Sequence, residues 1–157
     1  MTDPKNQRSL LLAIDLATAR RDAAQTQLQS TQQAEAFAQD QMQQLQQYAE
    51  ETQQRWMQSA QVSASPEMLH HHYQFMSRLN QAVQLQDGVL ASNRQRVEAA
   101  RQVLLSAEFR LMSFKQVVAT RQSSVNKARQ RQEQKQMDEF ASQQAQRRQR
   151  LHAENEI

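Results

Sequence analysis

A chain of 157 residues and 18.2 kDa has the length of one domain. With one Gly, two Pro and no Cys, it lacks the punctuation that strands, hairpin turns and nucleotide-cradling loops need, and it has no disulfide framework or thiolate chemistry. The net charge of +3 is unevenly placed: up to Thr120 eleven Lys/Arg balance eleven Asp/Glu, and the whole excess lies beyond, in Arg121, Lys127, Arg129, Arg131, Lys135, Arg147, Arg148 and Arg150. Aromatics at 5% and a mean hydropathy of -0.90 argue against a thick core. Gln makes up roughly a fifth of the chain, and Gln, Ala, Glu, Arg and Leu are good helix formers. Such a chain reads as long helices or as disorder, and periodicity decides.

The N-terminal apolar run, Leu10 to Ala17, is interrupted by Asp15. It is too short and too charged for a signal peptide or a spanning helix, so an intracellular protein is expected. A first helix is predicted from about residue 6 to 60. Its apolar row is Leu10, Ile14, Ala17, Ala24, Leu28, Ala38, Met42, Leu45, Ala49 and Trp56, interrupted by Arg21, Thr31, Glu35 and Thr52. Small Ala side chains let helices approach but bury little area. The one strong break is 61–65. There Ser65 is a natural N-cap, Pro66 suits the first helical position and Glu67 suits the positive end of the dipole.

A second helix is predicted from about 66 to 150, with a frayed tail at 151–157. Steps of seven from Leu69 give Met76, Val83, Leu90, Val97, Leu104, Leu111, Val118 and Val125, every one aliphatic or Met. The companion row, three residues on, is mixed: His72, Leu79, Gln86, Asn93, Ala100, Ala107, Phe114, Arg121 and Ala128. A row sustained this long marks a coiled-coil seam. A five-residue connection suits antiparallel neighbours.

The expected fold is therefore all-α: a long antiparallel two-helix coiled-coil hairpin with an overhanging C-terminal helix, as a single coiled-coil domain over 1–157. In this register Trp56 faces the region of Leu69, Leu45 that of Val83, Ile14 that of Leu111, and Tyr48 lies across from Leu79 and Gln81. The first helix would be roughly 80 Å long at 1.5 Å per residue, and the second would outrun it after about Ser124. The alternative is a parallel dimer through the second helix; the short connection favours the hairpin.

Candidate chemistry is sparse. His70, His71 and His72 are consecutive, so on a helix they diverge by about 100° each and do not converge on a metal. A solvated helix start with one His on the seam is the expected arrangement. No nucleophile–base array, carboxylate pair or phosphate loop is present, so neither catalytic residues nor a cofactor is expected, and the protein is read as no enzyme. The basic tail has the residue types for phosphate, but Glu133, Asp138 and Glu139 interleave and no aromatic row offers stacking. No specific nucleic acid is expected as partner. The thin stripe of Met137, Phe140, Ala141, Ala145 and Leu151 lacks the apolar density for membrane insertion; on an unpaired helix it suits docking into a partner. A second cluster after the break combines Tyr73, Phe75, Met76, Leu79, Ala82 and Val83. Seam packing accounts for Met76 and Val83 but leaves Phe75 only partly covered, a candidate interaction site.

The run Gln134-Lys135-Gln136-Met137-Asp138-Glu139-Phe140-Ala141, near the C-terminus, resembles the QKxMDEFA signature of the FliJ family, soluble components of the bacterial flagellar type III export apparatus. Gln32-Gln33-Ala34-Glu35, and Tyr73-Gln74-Phe75 followed by Leu79 and Ala82, are similar to the same family's pattern, so the resemblance covers the whole chain in length and order. It implies a two-helix coiled coil like the gamma subunit of rotary ATP synthases. It also implies docking of the open end into the hexameric flagellar export ATPase, contact with the cytoplasmic domain of the export-gate membrane protein, and escort of export chaperones. The implied gate contact is Tyr48, Phe75, Leu79 and Ala82; the implied ATPase contact is Gln134, Lys135, Met137, Asp138, Glu139 and Phe140. Gln86 stands where the family pattern has His, and the first-helix half of the patch departs from it around Phe37 and Gln41. The expected location is cytoplasmic, at the inner-membrane face. A basic coiled-coil nucleic-acid-binding or architectural protein is the alternative from another class, and a membrane-fusion or scaffolding coiled coil a third.

Overall fold

Both helices begin the same way, with a capping side chain followed by proline. A computed structural model describes residues 3–156 and contains two helices, α1 (Pro4–Ala60) and α2 (Pro66–Asn155), with no strand among the described residues. Asp3 caps α1: its Oδ1 accepts from Lys5 N at 3.1 Å and its carbonyl accepts from Asn6 N at 3.0 Å. Ser65 caps α2, its Oγ accepting from Met68 N at 3.2 Å. Pro4 and Pro66 occupy first helical positions, where a missing N–H costs nothing. The start of α1 is thus two residues earlier than expected, set by the Asp3-Pro4 pair. At its other end the Ser59 carbonyl accepts from Val62 N and Ser63 N, at 3.1 and 3.2 Å, which closes the helix without a glycine. α2 continues to Asn155, through residues expected to fray from 151; Met1, Thr2 and Ile157 lie outside the described residues.

The helices pack against each other as a hairpin. Two compact units are distinguished, Ala17–Phe109 and the two chain ends, up to Leu16 and from Arg110. In the Ala17–Phe109 unit a row of covered residues of α1 recurs by threes and fours: Ala17, Arg21, Ala24, Leu28, Thr31, Glu35, Ala38, Met42, Leu45, Ala49, Thr52, Trp56 and Ala60, with Thr18 half-buried beside it. Arg21, Thr31, Glu35 and Thr52, which interrupt the apolar row, are members of the seam. Three of them have a partner. Arg21 pairs with Asp22 at 2.9 Å, and its stem lies along the helix. Thr31 Oγ1 donates to the Leu28 carbonyl at 2.9 Å, which uses up its hydroxyl within the helix. Glu35 meets Arg94 at 3.8 Å.

The facing row of α2 runs His72, Met76, Leu79, Val83, Gln86, Leu90, Asn93, Val97, Ala100, Leu104 and Ala107. This is the predicted heptad with its companion row. Small side chains on α1 (Ala17, Ala24, Ala38) and larger ones on α2 (Leu79, Leu90, Val97) form the buried core of this unit together with Met42 and Ala100. Leu69, the expected first seam position, is 56% exposed, because α1 is ending at Ala60 and offers it no facing turn. Trp56 instead stacks on His72, ring centroids 4.3 Å apart and 8° from parallel. Tyr48 meets Phe75, about one turn closer to the connection than the Leu79–Gln81 region expected of it.

In the unit of the chain ends, Leu10, Ala13 and Ile14 of α1 are half-buried; on α2 Leu111 is buried, with Phe114 and Val118 half-buried. Arg110 lies over the Phe114 ring at 5.9 Å. Gln7, Leu10, Leu11, Val118, Arg121, Gln122 and Val125 line a small groove. Every described residue from Ala119 to Glu156 is exposed. The covered part of the seam therefore ends at Val118, one heptad before Val125.

Candidate partner-docking surfaces

The first surface lies on the Ala17–Phe109 unit. Tyr48 of α1 and Phe75 of α2 meet edge to face, centroids 6.0 Å apart at 79°, a geometry favoured by the ring quadrupoles. Both remain substantially exposed, at 50% and 39%. Ala82 is half-buried. Leu79 differs from the other three: it is buried, on the companion row of the seam. Its side chain serves the helix pair and presents almost no area to a partner.

Residues absent from the predicted patch complete the surface. Gln41, Gln44 and Leu45 with Tyr48 on α1, and Gln86 on α2, line a shallow groove. Gln86 Nε2 donates to the Ala38 carbonyl at 2.9 Å and to Gln41 Oε1 at 3.4 Å. The amide thus reaches across the seam, and a polar residue on the companion row is accommodated without an unsatisfied group. Among glutamines this numerous, Gln41 and Gln44 carry no individual signal. Gln86 does carry one, since it is a polar step in an otherwise readable heptad.

The second surface is on α2 within the unit of the chain ends. Gln134, Lys135, Met137, Asp138, Glu139 and Phe140 are all exposed. Met137 and Phe140 are 69% and 63% exposed, and with Glu133, Gln136, Ala141 and Gln144 they line an open groove along one side of the helix. Spacings of three, four and seven from Met137 put Phe140, Ala141 and Gln144 on its face. Gln134 Nε2 donates to Asp138 Oδ1 at 3.4 Å along the flank. Two large apolar side chains in a charged border, with no helix facing them among the described residues, form an exposed apolar stripe.

The structure separates the three consecutive histidines. His70 and His71 are exposed, while His72 is half-buried, stacked on Trp56 with Nε2 3.2 Å from Gln53 Oε1. Among the described residues no three His, Cys, Asp or Glu side chains are grouped to hold a metal ion. The basic residues beyond Thr120 are exposed and interleaved with acids. No helix among the described residues is long and apolar enough to cross a membrane. Met57, Val62 and Met68, around the connection, are half or more exposed and lie outside the apolar rows that periodicity picks out.

Residues 7–150 match the family model described as Flagellar FliJ protein. No curated protein matches the chain, and no solved structure does.

Proposed function

The chain belongs to the FliJ family and is a component of the flagellar export apparatus, and we propose that it serves there as a non-enzymatic stalk. In this reading it links the hexameric export ATPase to the cytoplasmic domain of the export-gate membrane protein and escorts export chaperones. It works at the cytoplasmic face of the inner membrane. The observation that carries the proposal is the stretch of α2 beyond Val125, whose described residues are all exposed and which bears the Met137/Phe140 stripe. An uncovered amphipathic helix is built to be completed by another protein. The Tyr48/Phe75 pair supplies a separate aromatic anchor, of the residue type that dominates interface energetics. Assigning the stripe to the ATPase and the aromatic pair to the gate follows the order of the family motifs along the chain.

The test is binding of full-length protein to each purified partner. Met137→Ala with Phe140→Ala should weaken the ATPase and spare the gate domain. Tyr48→Ala with Phe75→Ala should do the reverse. Each truncated anchor should cost about 2 kcal/mol. Leu79 is left intact, because truncating a buried seam residue confounds binding with folding. Equal loss of both partners in both double variants, at unchanged helicity, would overturn the two-surface assignment.

A further inference from the structure

We propose that one flank of the Ala17–Phe109 unit is the seat of a third helix, an acidic amphipathic helix supplied by another protein. The residues immediately before the heptad positions of α2 include Phe75, Ala82, Val89, Arg96 and Val103. They repeat every seven residues, so they form a further row beside the seam. Ala82 is half-buried, and Val89 and Val103 are 47% and 59% exposed. α1 carries the matching row, Tyr48, Gln41, Ala34, Gln27 and Arg20, each one residue before a covered one. The contact between the Tyr48 and Phe75 rings puts the two rows on the same side of the hairpin. One step further out on that side lie the exposed Phe37 and Leu85. The opposite flank is marked by the hydrogen bond that Arg94 donates to Gln39 at 3.3 Å. There α1 offers Gln25, Gln32, Gln39, Gln46 and Gln53, each one residue after a covered one. The helix pair is therefore apolar along one side and polar along the other.

Spacing and charge select the occupant. Two helices cover only the seam rows between them; a further apolar row at heptad spacing is what a third helix covers in a bundle. From Phe75 to Val103 this row spans four heptads, about 40 Å at 1.5 Å per residue. Its charges decide the chemistry of the partner. Arg20, Arg55, Arg78 and Arg96 lie on this flank and Glu51 is its one acid. None of the four arginines makes an ion pair among the described residues. On the opposite flank Asp22, Glu50, Asp87, Glu98 and Glu108 outnumber Arg94 and Arg101. Those two arginines are engaged, with Glu35 at 3.8 Å and Glu98 at 3.9 Å. The apolar flank thus presents unanswered positive charge, which fits a helix with a Leu or Val stripe bordered by Glu or Asp. A second copy meeting it through the same flank would set net positive charge against net positive charge. The seat begins at the Tyr48/Phe75 pair and continues beyond it to Val103 and Arg20.

The experiment uses the full chain and two labelled synthetic four-heptad peptides with the same Leu stripe, one bordered by Glu and the other by Lys. Binding is read by fluorescence anisotropy. The Glu peptide should bind, and the Lys peptide should bind about tenfold more weakly or less well still. Val89→Gln with Val103→Gln, at exposed positions, should weaken the Glu peptide by about tenfold at unchanged helicity. Arg20→Glu with Arg96→Glu should reverse the preference between the peptides, which a folding defect does not produce. Met137→Ala with Phe140→Ala should leave the affinity unchanged, which separates this seat from the C-terminal stripe. The natural chain has no cysteine, so a photo-reactive group attached at Gln27→Cys should capture the Glu peptide, and the same group at Gln25→Cys should not. Equal binding of both peptides, or equal capture at both positions, overturns the proposal. Dimers of the chain that Val89→Gln with Val103→Gln dissolves would overturn it in favour of a second copy. Synthetic peptides stand in for every export protein, so failure here leaves the gate and ATPase assignments standing, and failure of those leaves this seat standing.

Discussion

Gly88 and Leu79 show how much single residues decide. Gly88 is an exposed position in the interior of α2, and a Cβ there would meet nothing within 4 Å. Its backbone is not in the left-handed region. Gly88→Ala should therefore stabilise the fold by about 1 kcal/mol, through helix propensity and a less flexible unfolded chain. A rise in urea midpoint without a change in slope checks it. Leu79 has the opposite character. Although it sits amid the Tyr48/Phe75 surface, it is 7% exposed, so Leu79→Ala removes core contacts and should cost about 2–3 kcal/mol. Phe75→Ala, at a position 39% exposed, should cost less. Thermal melts of the two variants side by side would test this division. A milder effect for Leu79 would mean that it belongs to the docking surface after all.

At the scale of the helices, stability rests on one seam. Val97, 3% exposed, is among its best-covered members. Val97→Asp places a carboxylate where nothing pairs with it and should cost several kcal/mol. Leu104→Asp, at a half-buried position, should be milder. Circular dichroism melts of both would show it, and an unchanged curve for Val97→Asp would remove that residue from the seam. The helix ends make a further prediction. Ser65→Ala deletes the Oγ that accepts from Met68 N and should cost about 1 kcal/mol. The polar members of the seam weaken burial, and two of them restrict register. Glu35 of α1 meets Arg94 of α2, and Gln86 of α2 donates to the Ala38 carbonyl of α1; a slip along the helix axis would strand those groups. Asn93 Nδ2 donates to the Val89 carbonyl within its own helix at 3.0 Å, so it is satisfied in any register.

For the whole molecule the deciding quantity is where the charge lies. The net excess of three positive charges is confined to the segment beyond Thr120, whose side chains are exposed. That distribution is also the observation favouring a nucleic-acid-binding role. Phosphate binding by such a segment releases counterions, so its strength falls steeply with salt. Glu133, Asp138 and Glu139 within the basic run oppose it, and no exposed aromatic row offers base stacking. Any DNA affinity should be weak, without sequence preference, and lost by physiological salt. Fluorescence anisotropy with duplexes of different sequence over a salt series measures this. Nanomolar, sequence-dependent binding at physiological salt would favour the nucleic-acid role over the stalk.

By itself the sequence determined the helical class, the break at 61–65 and the heptad of α2, because nine aliphatic or Met side chains at steps of seven admit one period. It also determined that Phe75 is incompletely covered and that the tail carries a charged, thinly apolar stripe. Only the tertiary structure decided which polar residues share the seam. Arg21, Thr31, Glu35 and Thr52 look like interruptions until Asp22, the Leu28 carbonyl and Arg94 are in place to satisfy three of them. It also decided where covering stops. Leu69 has seam spacing and seam chemistry, yet it is exposed, because periodicity describes one helix whereas burial requires a second opposite it. Pairing of Tyr48 with Phe75 rather than with the Leu79–Gln81 region likewise depended on register, which a shift of one helical turn changes and the spacing along either helix alone does not encode.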